Sequence, residues 1–287
     1  MIDEFNNECP YDFKNIQFIP YGNDSITWYA YTFNSANADG GTDLSLDGNK
    51  NAIYDNVIKP SVEGINFICF LGNNCSQNHF ETGCSTSMFD GSAYNNTFGI
   101  NCVANSFGIG CGDNSFASSC SENTFGKYCR DNTFGIDSSG NTFEDSCDVN
   151  SFGNVCCSNT FKTGCHNNSF INNCYENSFG TGCYDNSFGN DCYQNTFGNE
   201  CYDNSFGNDN HENTFGNQFL LNIFDNGCTN NIFGNQCWFN NIGSIYYKNT
   251  LGDECKHNTF GSDCRENTFG KYCCGNLFGN ECKKNTF

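Results

Sequence analysis

Positive charge is scarce in these 287 residues: 12 Lys and Arg stand against 32 Asp and Glu, a formal net charge of −20. A surface so acidic repels phosphate backbones and anionic headgroups, which argues against nucleic acid and against membrane insertion or binding. No apolar run approaches the roughly 20 residues of a membrane span. The opening MIDEFNNECPYDF has neither a basic nor an apolar signal region, so the chain is expected to be made and folded in a reducing cytoplasm. Aliphatic residues are few, the 37% hydrophobic content being led by 30 Phe and 23 Cys, which rules out an ordinary Leu/Ile/Val core. No C-x-x-C pair, the spacing favoured by zinc, occurs among the 23 Cys.

What fills the chain instead is one phrase. CYDNSFGND occurs at residues 183–191 and again, unchanged, at 201–209. Counting back from Phe287 in steps of nine meets Phe, or Leu251, Ile242 and Leu71, at each step to residue 71, with no insertion. Asn stands two residues before that position at all 22 sites from Asn96 to Asn285, and Cys stands four after it in most units. The unit reads N-[S/T]-F-G-x-x-C-x-x, and a fixed short period is the mark of a stacked-repeat architecture.

Alternation in a strand turns Asn186 and Phe188 inward and Ser187 outward. The Gly-Asn-Asp that follows is turn chemistry, and Cys192 returns to the interior. Apolar residues never recur at three-four spacing, so no helix is predicted. One nonamer cannot stand alone: burying a Phe stabilises by roughly 1.5–3 kcal/mol, while ordering nine backbones costs roughly 9–18 kcal/mol. Units must therefore stack, with Asn amides bonded along a column. The expected fold is an all-β, right-handed parallel β-solenoid, a flattened coil. The 18-residue return of CYDNSFGND favours two nonapeptides per turn over three. Residues 1–50 read as a small all-β attachment domain, 51–70 as an adaptor or cap, and 71–287 as the solenoid.

Candidate sites are weighed against this monotony. Nineteen of the 23 Cys occupy the inward slot, and Asn210, Phe219 and Tyr246 replace Cys there without disturbing the period. Core thiols are thus expected rather than disulfides or a metal site. Calcium-binding nonapeptides use Gly-Gly-x-Gly-x-Asp, whereas acids such as Asp191, Glu200 and Asp209 come and go here. No metal, no cofactor and no catalytic residues are expected, because no Asp/Glu pair leaves the surface turns and the four His share no register with a nucleophile. Ser or Thr precedes the apolar position in 18 of 22 units, a mixed rank unlike the regular threonines of ice-binding solenoids.

The informative break is the window 217–249. Residues 18 apart fall on one face of adjacent turns, which places Leu220 and Leu221 beside Trp238 and Phe239, with Tyr184 and Tyr202 extending the column. Such an apolar patch suits contact with a sugar or a protein; the plainer reading is a local thickening of the core.

The run NTFGNECYDNSFGND (195–209) resembles the Asn/Phe/Gly/Cys nonapeptide-repeat proteins of gut Bacteroidales and their phages, crAss-like phages included, which are labelled fibre or structural proteins. The resemblance covers residues 71–287. It implies a non-enzymatic virion protein, a rod in a head or tail fibre, held to other virion proteins through residues 1–50 and presenting a recognition surface, with a host glycan or receptor as ligand. A homo-oligomer, a trimer if a fibre, is compatible with this. The alternative is a carbohydrate-binding adhesin on a bacterial surface, and third a polysaccharide depolymerase or an ice-binding protein.

Overall fold

The computed structural model describes residues 77–80, 82–89 and 91–287, together with the strands Ile19–Tyr21, Trp28–Thr32, Val57–Ile58 and Phe67–Leu71. The expected border at residue 50 and the attachment role of residues 1–50 lie outside the described residues, and the border at residue 70 falls within the strand Phe67–Leu71. Among those described, all regular structure is β-strand and turn, with no helix. The chain divides into two units, residues 1–144 and 145–287, and in each the described nonapeptides form a parallel β-solenoid of 18-residue turns.

In the first unit one sheet takes in Trp28–Thr32, Phe67–Leu71, Met88–Phe89, Ser106–Phe107, Thr124–Phe125 and Thr142–Phe143, paired in parallel in that order. Ile19–Tyr21 is added antiparallel at its start. The second sheet runs Val57–Ile58, His79–Phe80, Thr97–Phe98, Ser115–Phe116 and Thr133–Phe134. The second unit repeats the scheme. Ser169–Phe170, Ser187–Phe188 and Ser205–Phe206 lie in one sheet, and Ser178–Phe179, Thr196–Phe197 and Thr214–Phe215 in the other. Successive nonamers thus alternate between sheets, and partners in the repeat region are 18 residues apart.

Each nonamer bends twice. Residues such as Glu200 and Asp203, or Asp209 and Glu212, have φ of 53–59°, a left-handed conformation that Asn, Asp and Gly adopt most readily. Two such corners per nonamer make four per turn, so the short Asn-Ser/Thr-Phe strands are joined across narrow sides that carry the Cys. Hydrogen bonds cross between turns in both directions. Thr196 and Gly198 donate back to Asn177 and Phe179, whereas the corner amides of Glu200 and Asp203 donate forward to Asn217 and Leu220. The glycine after Phe permits this closeness: a Cβ on Gly216 would lie 2.5 Å from the carbonyl oxygen of Gly198.

The core consists of columns. Phe179 stacks on Phe197 at 4.8 Å, and Phe188 of the facing sheet meets Phe197 edge-on at 5.2 Å and 80°. Both are favoured aromatic geometries, worth about 0.5–1.5 kcal/mol beyond area burial. Beside the rings runs the amide column. Asn195 Nδ2 donates to Asn213 Oδ1 and to the carbonyl of Cys174, both at 3.1 Å, and its Oδ1 accepts from the Nδ2 and backbone amide of Asn177 at 3.0 Å. Two donors and two acceptor positions are all used, so a fully buried amide carries no unmet hydrogen bond. The backbone N–H of Asn195 itself bonds forward to Asn213 Oδ1 at 2.9 Å.

The third column holds the thiols. The 20 cysteines whose side chains are described are thiols rather than disulfides, and 16 are buried. Cys201 Sγ donates to the carbonyl of Gly180, 21 residues back, at 3.4 Å, and Cys183 does the same to Lys162 at 3.3 Å. The slot therefore asks for a small inward donor. Asn210 fills it by donating from Nδ2 to the carbonyl of Gly189 at 3.1 Å. Burial pushes the thiols of Cys228 and Cys264 up to about 12, which keeps them protonated as donors.

The window 217–249 is partly a core rearrangement. Phe219 occupies the Cys slot with no exposure, contacts Phe215 at 4.4 Å, and Phe215 turns 25° from the plane of Phe197. Tyr246, also fully buried in a Cys slot, coincides with Ile242 and Leu251, where other units have Phe. Its ring sits between Phe233 and Phe260, at 6.3 and 5.5 Å, and takes the space that two phenyls have vacated.

Candidate functional site

Within the second unit, the narrow side that follows each strand of the Thr196–Phe197 sheet gathers the residues singled out by sequence. Parallel backbone bridges link Tyr184 to Tyr202 and Tyr202 to Leu220. Leu220 donates to the carbonyl of Cys201, and Leu221 to that of Trp238. One 18-residue step therefore brings Leu220 and Leu221 next to Trp238 and Phe239, with the two tyrosines preceding them in the same column.

Their side chains differ in availability. Tyr184, Leu220 and Trp238 are half-buried, while Tyr202, Leu221 and Phe239 are 37%, 51% and 55% exposed. The Tyr184 and Tyr202 rings stack at 4.9 Å and 1°, so each turns a face to its neighbour and presents an edge outward. His166 caps Tyr184 edge-on at 4.5 Å, and its Nδ1 lies 3.8 Å from Asp148. Trp238 Nε1 donates to the carbonyl of Glu254 at 2.7 Å, which fixes the indole, and Phe239 stacks on His257 at 5.3 Å.

A trough of about 480 Å³ follows this column, lined by Gly182, Glu200, Tyr202, Gln218, Leu220 and Trp238. Across the ridge formed by Glu200 and Gln218 lies a polar trough of about 440 Å³, lined also by Asn199, Asn217, Asn235 and Asp253. Its floor is an amide ladder on the surface: Asn217 N–H bonds to Asn199 Oδ1 at 2.9 Å, Asn235 to Asn217 at 2.8 Å and Asp253 to Asn235 at 2.8 Å. A matching ladder joins Asn172, Asn190, Asn208 and Asn226.

Two of these features escaped the sequence reading. The surface ladders are signalled by the recurrent Gly-Asn after Phe, whose second residue lies two past the apolar position. A second aromatic column stands on the alternate nonamers: Tyr175 stacks on Tyr193 at 5.0 Å, and Tyr193 on His211 at 5.1 Å. Its signal is Tyr, Tyr and His following Cys or Asn at steps of 18. Among the described residues no group of three or more His, Cys, Asp or Glu is arranged to hold a metal ion.

Repetition, ladders and columns together define a β-solenoid protein. No protein-family model and no curated protein matches the chain. Among solved structures it is similar to ORF18 of Geobacillus virus E2, with a TM-score of 0.20 and 9% identity, covering 80% of this chain and 56% of that one. The chain thus spans little more than half of that protein's length, and a likeness so shallow carries no weight for fold or function.

Proposed function

We propose that the chain is a non-enzymatic structural protein whose solenoid serves as a rigid rod of a phage virion appendage, a head or tail fibre, and presents a recognition surface. One observation carries the mechanical part of this reading. Within each unit the nonapeptide turns are tied to their neighbours by backbone and amide hydrogen bonds, joined in most turns by thiol hydrogen bonds and stacked rings, so bending would have to break several at once. The virion setting is supported by the resemblance of the nonapeptides to those of Bacteroidales phages. In this reading residues 1–50 attach the rod to other virion proteins.

A second reading, an adhesin or carbohydrate-binding solenoid of a bacterial surface, draws on the exposed apolar column at Leu221 and Phe239. An ice-binding role is disfavoured by Ile223, Ile232 and Asn241, which interrupt the outward Ser/Thr ranks. Antibodies raised against the purified chain separate the first two. Labelling of purified phage particles is expected, whereas labelling confined to bacterial cells would replace the virion reading with the adhesin.

A further inference from the structure

We propose that the narrow side running from Tyr184 to His257 docks a polypeptide partner that offers apolar and basic side chains together; this rests on the reading of the solenoid as a display scaffold. Leu221 and Phe239 are unfavourable here on two separate grounds. Both sit at left-handed corners, with φ of 58° and 59°, where a bulky side chain is strained. Both are also more than half exposed. At the same corner in the two preceding turns stand Asp185 and Asp203, which suit that backbone and water alike. Neither folding nor solubility accounts for Leu and Phe in adjacent turns, and a paired exposed apolar patch of this kind marks a contact surface. Other apolar corners of the second unit, such as Val155 and Ile245, stand singly.

Charge selects the occupant. From residue 163 to residue 247 the chain has no Lys or Arg but eight Asp and Glu, and Lys256, which follows Trp238 in the column, is paired with Glu254 at 3.7 Å. Asp185, Glu200 and Asp203 flank the patch. A second copy of the chain would bring the same carboxylates against them, and like charges disfavour that pairing. A sugar would stack on open ring faces, but Tyr184 and Tyr202 spend theirs on each other. A Lys or Arg side chain satisfies both parts of the trough, its stem lying along Leu220 and Trp238 and its head reaching Glu200.

The test is a random dodecapeptide library selected on the purified full chain and counter-selected on the Leu221→Asn, Phe239→Asn double variant. The expected outcome is enrichment of peptides that combine Lys or Arg with Leu, Phe or Trp. These should bind the double variant at least tenfold more weakly while its Tm is unchanged or raised, since Asn relieves the corners. Should the double variant melt lower, Glu200→Gln with Asp203→Asn, which keeps the apolar side chains, must instead weaken the enriched peptides at least tenfold. No preference for the parent chain, or enrichment of peptides without basic residues, overturns the proposal. Neutral oligosaccharide binding lost in the double variant would reassign the side to a glycan, and self-association lost in it would reassign it to a second copy. Antibody labelling of particles does not depend on this selection, so the docking proposal and the virion reading can fail separately.

Discussion

A residue in this chain is judged by its column rather than by its sequence neighbours. Tyr246 illustrates the point: a tyrosine in a slot made for a thiol is tolerable because Ile242 and Leu251 have given up phenyl rings around it. Tyr246→Cys alone should leave a void and destabilise the second unit by about 2–5 kcal/mol. Adding Ile242→Phe and Leu251→Phe should recover most of that loss, while those two changes without Tyr246→Cys should overpack the core. Urea unfolding of the three variants checks the order. The hydroxyl of Tyr246 is buried without a hydrogen-bond partner, so Tyr246→Phe is expected to be neutral or stabilising.

At the scale of the element, the unit of construction is the pair of nonamers. Removing residues 186–203, one full turn, keeps each downstream residue in its column and should leave folding intact with a Tm shift of a few degrees. Removing 186–194 keeps the inward pattern but moves Leu220 and Trp238 to the side that carries Tyr175. Removing 186–198 sets Asn and Phe out of phase and should abolish cooperative melting, which calorimetry would show. Much of this was legible in the sequence, because a strict period of nine with one buried phenyl per unit leaves few ways to close a coil. The inward Asn, Phe and Cys, the outward Ser and Thr, and the adjacency of Leu220 to Trp238 all follow from it. The surface amide ladders and the Tyr175–Tyr193–His211 stack were not read, since a polar residue in a turn gives no sign of its bonding until the turn above it is placed. The compensation around Tyr246 was hidden for a similar reason, being a trade of volume between residues that only stacking brings together.

For the molecule as a whole, the thiols that burial raises, Cys228 and Cys264 among them, make stability depend on pH. An unfolded Cys loses its proton near about 8.5, whereas burial holds Cys228 and Cys264 protonated up to about 12. A folded value raised above the unfolded one gives stability that is complete below about pH 8.5 and is lost as pH climbs toward the folded value. Thermal melts from pH 7 to 10.5 should show a progressive fall in Tm. In native protein at pH 8, iodoacetamide should modify the exposed Cys274 ahead of the 16 buried thiols. A Tm that rises with pH over that range would refute the thiol assignment.

The claim beneath all of this is that buried amides bond to their counterparts 18 residues away, and a double-mutant cycle reads it directly. Asn195→Ala and Asn213→Ala, measured singly and together by urea unfolding, should show a coupling of at least about 1 kcal/mol. Asn195→Ala with Asn204→Ala, nine residues apart and in the facing sheet, should be additive within about 0.5 kcal/mol. Coupling at nine, or at 27 between Asn195 and Asn222, with none at 18 would contradict the two-nonamer turn and the columns built on it.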